Sequence, residues 1–156
     1  MNFEHLIQIN DPGNPLIASL TREQVWQGLL HRVENPLPFL PGLESCTIVE
    51  RIGETLLREL NFGPAVIQDR VTLAERAWVR FDILPSASHA GGSLTITIEE
   101  PAPDHLFLRF AYRTTLGEQA GSEDKAYVEY VKAAYHQSDV DCVRLIRTLA
   151  TGGPMQ

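Results

Sequence analysis

The sequence has 156 residues, 44% of them hydrophobic and 21% charged, and its 20 acidic and 13 basic side chains give a formal net charge of −7 at pH 7. This is the length and composition of one ordinary soluble domain, which buries enough surface to fold without disulfides or a structural metal. Phosphate binding depends on clustered cations, and this acidic chain has no such cluster, so we expect no nucleic-acid partner.

The sequence contains no stretch of about 20 apolar residues, the length that crosses a membrane. Residues 1–5 lack the basic start and the apolar run of a secretory signal, so we expect a cytoplasmic protein. We assign residues 1–150 to a single domain and residues 151–156 to a flexible tail. Cys46 and Cys142 lie far apart without a CxxC motif, which favours two reduced thiols, although pairing in space stays open at this point.

The N-terminal third predicts one strand and one helix. Residues 3–9 alternate imperfectly between apolar and polar side chains, as expected for an edge strand. Thr21 and Gln24 then form a capping-box pattern that begins a helix. The apolar face of this helix consists of Val25, Trp26, Leu29, Leu30 and Val33, and the pair Asn35-Pro36 ends it. Residues 37–42 have room for one further helical turn at most.

The middle of the chain, from residue 43 to residue 116, changes to a period of two. Turn residues divide it into six runs that predict the strands of an antiparallel meander, each with one apolar and one mostly polar face. These runs are residues 45–51, 55–62, 65–73, 77–84, 92–99 and 105–115.

A long helix is predicted from Ser122, which caps its start, to about residue 150. Its buried stripe consists of Val128, Val131, Tyr135, Cys142, Leu145, Ile146 and Leu149. At a rise of about 1.5 Å per residue this helix is about 43 Å long, so it must lie across the whole sheet. The fold class is therefore α+β. A twisted sheet of seven strands curls, and one straight helix does not fill its concave face, which predicts an internal cavity.

This order of elements resembles the helix-grip fold of the START and birch-pollen-allergen-like (SRPBCC) superfamily, and the N-terminal third resembles its AtaL-like family. The residues that carry the narrower resemblance are Asn10-Asp11-Pro12, Leu20-Thr21-Arg22, Gln24-Val25-Trp26-Gln27-Gly28-Leu29, Pro36, Phe39-Leu40-Pro41, Cys46, Arg58, Phe62 and Gly92-Ser93. The resemblance implies a seven-stranded curved antiparallel sheet wrapped around the C-terminal helix, with a cavity for an apolar ligand. It implies no reaction, because the fold is shared by carriers, cyclases and hydroxylase subunits.

One pair of charges is predicted on the concave face. A hairpin centred on Gly63-Pro64 places Arg58 opposite Asp69, between apolar neighbours. Glu50 becomes a second acceptor for Arg58 if the preceding turn has three residues, whereas a two-residue turn directs Glu50 outwards. Two interpretations stay open: a structural ion pair, or an oriented cation that binds a ligand carboxylate, phenol or ketone.

The other candidate ligand-binding residues are apolar or aromatic. We expect them to line the cavity together with the charged pair, and Tyr112 to add a hydroxyl group. They are Phe81, Ile96, Phe110, Tyr112, Val131 and Tyr135.

No spacing in the sequence points to a metal or another cofactor. The five histidines, at positions 5, 31, 89, 105 and 136, do not form a zinc-ligand pattern. Binding of an apolar or aromatic small molecule, lipid-like or polyketide-like, is therefore the first hypothesis. The second is a cyclase, aromatase or dehydratase that acts on a polyketide-like substrate, with Arg58, Asp69 and Tyr112 polarising it or transferring protons.

Overall fold

A computed structural model describes residues 2–86, 91–114 and 125–152. In chain order the elements are β1 (Asn2–Gln8), α1 (Arg22–Glu34), a short 3-10 turn (Leu37–Phe39), β2 (Ser45–Ile52), β3 (Thr55–Asn61), β4 (Val66–Ala74), β5 (Trp78–Ile83), β6 (Gly92–Ala102), β7 (His105–Thr114) and α2 (Lys125–Ala150). The predicted start of the long helix, at residues 122–124, lies outside the described residues.

The seven strands form one antiparallel sheet in the order β1-β7-β6-β5-β4-β3-β2. After β1 the chain crosses to the opposite edge of the sheet through α1. It then returns strand by strand until β7 pairs with β1. The predicted α+β helix-grip fold is confirmed. The sixth strand runs past its predicted end at residue 99 to Ala102, with an irregular register after Glu99.

Helix α1 begins where the capping box predicts. The Thr21 hydroxyl accepts a hydrogen bond from the Gln24 amide at 3.1 Å, and the Thr21 amide donates to the Gln24 side chain at 2.8 Å. These reciprocal bonds satisfy two backbone groups that would otherwise lack partners at the helix start. The buried face of α1 includes Val25, Trp26, Leu29 and Val33, as predicted.

The hydrophobic core lies between the concave face of the sheet and the two helices. Most of its fully buried members come from β3 to β7 and from both helices, among them Leu29, Leu56, Val79, Ile96, Leu108, Phe110 and Ile146, and Ile9 follows β1. Both cysteines are free, with Cys142 buried on α2 and Cys46 half-buried on β2, as predicted. No helix among the described residues is long and apolar enough to cross a membrane.

The contact between the two helices requires glycine at position 28. A Cβ atom added there would lie 2.6 Å from Cγ2 and 2.7 Å from Cγ1 of Ile146. Non-bonded contacts of Cβ atoms in proteins are essentially never shorter than 3.0 Å. Glycine inside a helix costs roughly 1 kcal/mol relative to alanine. The sequence therefore gives up helix propensity at this position so that α1 and α2 approach each other closely.

We predict that Gly28→Ala destabilises the protein by about 1–3 kcal/mol, because overpacking of the interface outweighs the gain in helix propensity. Urea unfolding measures the change in the free energy of unfolding. An Ile146→Ala background removes the two atoms at 2.6 Å and 2.7 Å and leaves only the Cβ atom at 3.0 Å, so the same Gly28→Ala change should be much less destabilising there. A stabilising effect in both backgrounds would show that the interface accommodates the methyl group.

Candidate functional site

A cavity of about 540 Å³ lies between the sheet and the helices. It occupies one end of the sheet, where β3, β5 and β7 end and where β4 and β6 begin. Its apolar wall consists of Leu40, Leu60, Phe62, Ile67, Phe81, Ile83, Leu94, Val131 and Tyr135. Its polar groups come from Arg32, Arg58, Asp69, Ser93, Tyr112, Thr114 and Ser138, and the backbone at Gly91 and Gly92 completes it.

Six of the nine candidate site residues line this cavity: Arg58, Asp69, Phe81, Tyr112, Val131 and Tyr135. Ile96 and Phe110 do not. They pair with each other across β6 and β7, and both are fully buried in the core. They lie two residues further along their strands than Leu94 and Tyr112, which do line the cavity. Their concave orientation was predicted from the alternation, but helix packing covers that part of the sheet.

Glu50 is also outside the cavity, which corrects its assignment as a second acceptor for Arg58. The turn between β2 and β3 has two residues, 53 and 54, and the register of β2 shifts after Ile48. As a result Ile48 lies opposite Arg58, while Glu50 lies opposite Leu57 and is exposed to solvent. The outward alternative for Glu50 therefore holds.

The Arg58 side chain joins two strands to the end of α1. Arg58 lies opposite Asp69, as predicted, and both residues are only 2% exposed. Its Nε donates to Asp69 Oδ1 at 2.9 Å and its Nη2 donates to Oδ2 at 2.6 Å. Its Nη1 donates to the carbonyl oxygens of Val33 at 3.0 Å and Arg32 at 3.3 Å. All three nitrogens of this guanidinium thus have protein acceptors, and the arrangement supports the structural interpretation of the pair.

Arg32 is a second buried cation, and the sequence analysis missed it. Its residue is 7% exposed, it lines the cavity, and its Nη1 has no hydrogen-bond partner among the described residues. The guanidinium carbon lies 5.5 Å from the centre of the Phe81 ring, and that of Arg58 lies 5.2 Å from the same centre. The sequence carried a signal for the burial of Arg32, because this residue follows Gly28 by four positions and Leu29 by three, which places it on the buried face of α1.

A buried polar chain runs from the cavity wall to the outer strand β1. The Tyr112 hydroxyl donates to the two carboxyl oxygens of Asp139 at 2.7 Å and 2.9 Å. His5 Nε2 lies 2.5 Å from Asp139 Oδ2, and the ring of the exposed residue His136 packs against His5 at 5.1 Å. Asp139 is fully buried, whereas the His5 side chain is 18% exposed. This series of polar side chains, from Tyr112 through Asp139 to His5, therefore connects the cavity with solvent.

Burial determines the acid-base properties of this chain. Burial raises the pKa of the Asp139 carboxyl above its ordinary value, while its bonds to Tyr112 and His5 only partly offset that effect. Burial and the neighbouring Asp139 also raise the pKa of the Tyr112 hydroxyl, so this group stays protonated. Asp139 is consequently a stronger base than an exposed aspartate.

Asp139 was also missed in the sequence, although its position carried a signal. The spacing of Tyr135, Asp139, Cys142 and Ile146 is four, three and four residues, which is the repeat of a single helix face. A carboxyl group in such a stripe is buried and needs donors. Among the described residues, no three His, Cys, Asp or Glu side chains are grouped so as to hold a metal ion.

The family model that matches residues 7–153 is described as acetylaranotin biosynthesis cluster protein L, or AtaL. The chain belongs to this family. The match extends along nearly the whole sequence and agrees with the resemblance carried by the N-terminal third. No curated protein matches the chain.

Solved structures with the same architecture are distant in sequence. The Zhui aromatase/cyclase from Streptomyces sp. R1128 is 15% identical, with a TM-score of 0.63 over 99% of both chains. The di-domain aromatase/cyclase BexL of the BE-7585A biosynthetic pathway is 11% identical, with a TM-score of 0.68 over 99% of this chain and 51% of that one. Ara h 8.0201 is 12% identical, with a TM-score of 0.62 over 98% of this chain and 99% of that one. These similarities establish the START-like helix-grip fold.

We predict that Asp69→Ala destabilises the protein by about 3–5 kcal/mol, because it leaves the Arg58 guanidinium buried without its counter-charge. Chemical denaturation measures the loss in free energy of unfolding. Asp82→Ala is the matched control, since Asp82 pairs with Arg80 at a site where these side chains are 35% and 45% exposed. An exposed pair contributes about 0–1 kcal/mol. Equal losses for the two variants would contradict the structural role of the buried pair.

Proposed function

We propose that this protein binds an apolar or aromatic small molecule, lipid-like or polyketide-like, in the cavity between the sheet and α2. The observation that carries the proposal is the cavity itself. Its volume of about 540 Å³ falls within the range of roughly 300–1,000 Å³ that is usual for ligand pockets. Its wall is mainly apolar, and three of its polar residues, Arg58, Asp69 and Tyr112, are held in place by hydrogen bonds to other protein groups, which is typical of a preformed binding site.

The comparisons support a biosynthetic metabolite as the class of ligand. The family description places the founding protein in a biosynthesis cluster. The structural neighbours Zhui and BexL are aromatase/cyclases, and BexL comes from a biosynthetic pathway. The same fold therefore occurs in aromatase/cyclases, at a comparable chain length in Zhui and as about half of the di-domain BexL. An aromatic ring system fits the wall formed by Phe62, Phe81 and Tyr135.

We predict that Val131→Trp weakens binding of the neutral fluorescent probe N-phenyl-1-naphthylamine by at least about ten-fold, which corresponds to about 1.4 kcal/mol. Val131 lines the cavity from α2, so the larger side chain takes up the space of the probe. Tyr130→Trp is the control, because Tyr130, the neighbour of Val131 on the same helix, is 71% exposed. Fluorescence titration gives both dissociation constants, and circular dichroism verifies the fold. Unchanged affinity in folded Val131→Trp would place the probe elsewhere.

Proton transfer on the bound molecule is a second candidate function, favoured by the chain from Tyr112 through Asp139 to His5. The Tyr112 proton points to Asp139, so the Tyr112 oxygen is free to accept a proton from a carbon or hydroxyl of the ligand. As that proton arrives, the Tyr112 proton moves to Asp139, whose raised pKa favours its uptake. Such an exchange is a step of enolisation, cyclisation and dehydration. Arg58 and Asp69 take no part, because they are bonded to each other and to α1.

Proton transfer is tested with 2-tetralone, a bicyclic ketone whose C1 protons exchange with deuterium through its enol. We predict that the wild-type protein accelerates this exchange, measured by NMR in D2O, and that Asp139→Asn lowers the acceleration by at least about ten-fold, or about 1.4 kcal/mol in the barrier. Affinity for N-phenyl-1-naphthylamine should stay the same. Asp141→Asn, on the exposed side of the same helix, should behave as the wild type. Equal exchange in wild type and Asp139→Asn would leave binding as the sole function of the cavity.

A further inference from the structure

We infer that Arg32 is the anchor for an acidic oxygen of the ligand, a carboxylate or a comparable anion attached to an aromatic body. This inference rests on the proposed binding function and specifies the chemical class of the ligand. It assigns to Arg32 the role that the sequence had suggested for Arg58.

The first argument is the state of the Arg32 guanidinium. Arg32 is 7% exposed, and its Nη1 has no hydrogen-bond partner among the described residues. A buried charged donor without an acceptor is costly, and such groups in native proteins have a partner. Arg32 lines the cavity while Nη1 itself has almost no contact with solvent, so a ligand packed closely against this side chain is the group that supplies the missing acceptor.

The second argument is the contrast with Arg58. Asp69 neutralises the Arg58 guanidinium through two hydrogen bonds, and α1 occupies the third nitrogen. Within the described ranges, no carboxylate forms an ion pair with Arg32. Asp139 accepts from Tyr112 and lies against His5 instead. Of the two cations beside Phe81, Arg32 is therefore the one that keeps a donor, Nη1, without an acceptor. The rest of its side chain bonds to the Cys142 thiol and lies near Tyr112 and Asp139.

The third argument is the chemistry of the surroundings. A guanidinium presents donors in a planar fork that matches the two oxygens of a carboxylate, and charge-assisted bonds of this kind are strong when water is excluded. The adjacent wall of Phe81, Leu94 and Tyr135 is apolar and accommodates an aromatic body next to the anion. An aromatic acid thus satisfies both parts of the site, whereas a neutral hydrocarbon leaves Nη1 of Arg32 without an acceptor.

Two probes that share one aromatic skeleton test the inference. 8-Anilinonaphthalene-1-sulfonate carries an anion, and N-phenyl-1-naphthylamine is the same skeleton without it. Arg32→Met should weaken binding of the sulfonate at least about ten-fold, about 1.4 kcal/mol, and change the affinity for the neutral probe less than two-fold. Arg70→Met removes the same charge from an exposed position on β4 and should leave both affinities unchanged. Each titration is read with circular dichroism as a check of folding.

The result that overturns the inference is an equal effect of Arg32→Met on both probes, or an unchanged affinity for the sulfonate. Arg32→Lys keeps the positive charge without the planar fork of guanidinium donors, and it should recover part of the sulfonate affinity. If Arg32→Met does not fold, Arg32→Lys and Arg32→Gln are compared in its place. Failure of the wild type to bind the neutral probe would instead remove the proposed function. The two failures are therefore distinguishable.

Discussion

The cavity end of the molecule depends on the hydrogen bonds of the Arg58 guanidinium. Its donors reach the carboxylate of Asp69 on β4 and the last carbonyl groups of α1. Helix ends carry unsatisfied carbonyl oxygens with a partial negative charge, so a cation at this point stabilises the helix as well as the strand pair. The position of α1 over this end of the sheet, and with it that of Arg32, depends on this side chain together with the close contact of Gly28 and Ile146.

The charges of the cavity are thus divided into two kinds. Arg58 and Asp69 compensate each other and hold the walls together. Arg32 keeps a donor without an acceptor, and near it the Asp139 carboxyl, bonded to Tyr112, has a pKa that burial raises. A buried polar group that lacks a partner destabilises the free protein, and such cost is usual at functional sites. The geometry therefore separates the charged groups that hold the cavity walls together from those that keep hydrogen-bonding or proton-binding capacity.

Much of this fold was predictable from the sequence because its signals are local. The capping box at Thr21 and the alternation of each strand fix the elements, and the hairpin at Gly63-Pro64 fixes the register that sets Arg58 opposite Asp69. The site was predictable only in part. Alternation gives the face on which Ile96 and Phe110 lie, but helix packing decides how far along that face the cavity extends.

Other features depend on contacts between distant parts of the chain. Neither the two-residue turn that places Glu50 opposite Leu57 nor the register shift that places Ile48 opposite Arg58 is visible in a hydrophobic pattern. Arg32 and Asp139 lie on buried helix faces, where a charged residue is easily read as an interruption of the stripe rather than as part of a site. Their partners come from β5, β7 and β1, and only the assembled sheet brings these groups together.

The location of the cavity at one end of the strands has a consequence for how this fold diversifies. On β6 and β7 a step of two residues separates Leu94 and Tyr112, which meet the cavity, from Ile96 and Phe110, which fill the core. Substitutions at the first pair alter what the molecule accommodates, while the second pair keeps the sheet and helices packed. The lining of the cavity and the packing of the core are therefore set by different residues of the same strands, so the cavity wall changes without loss of the architecture.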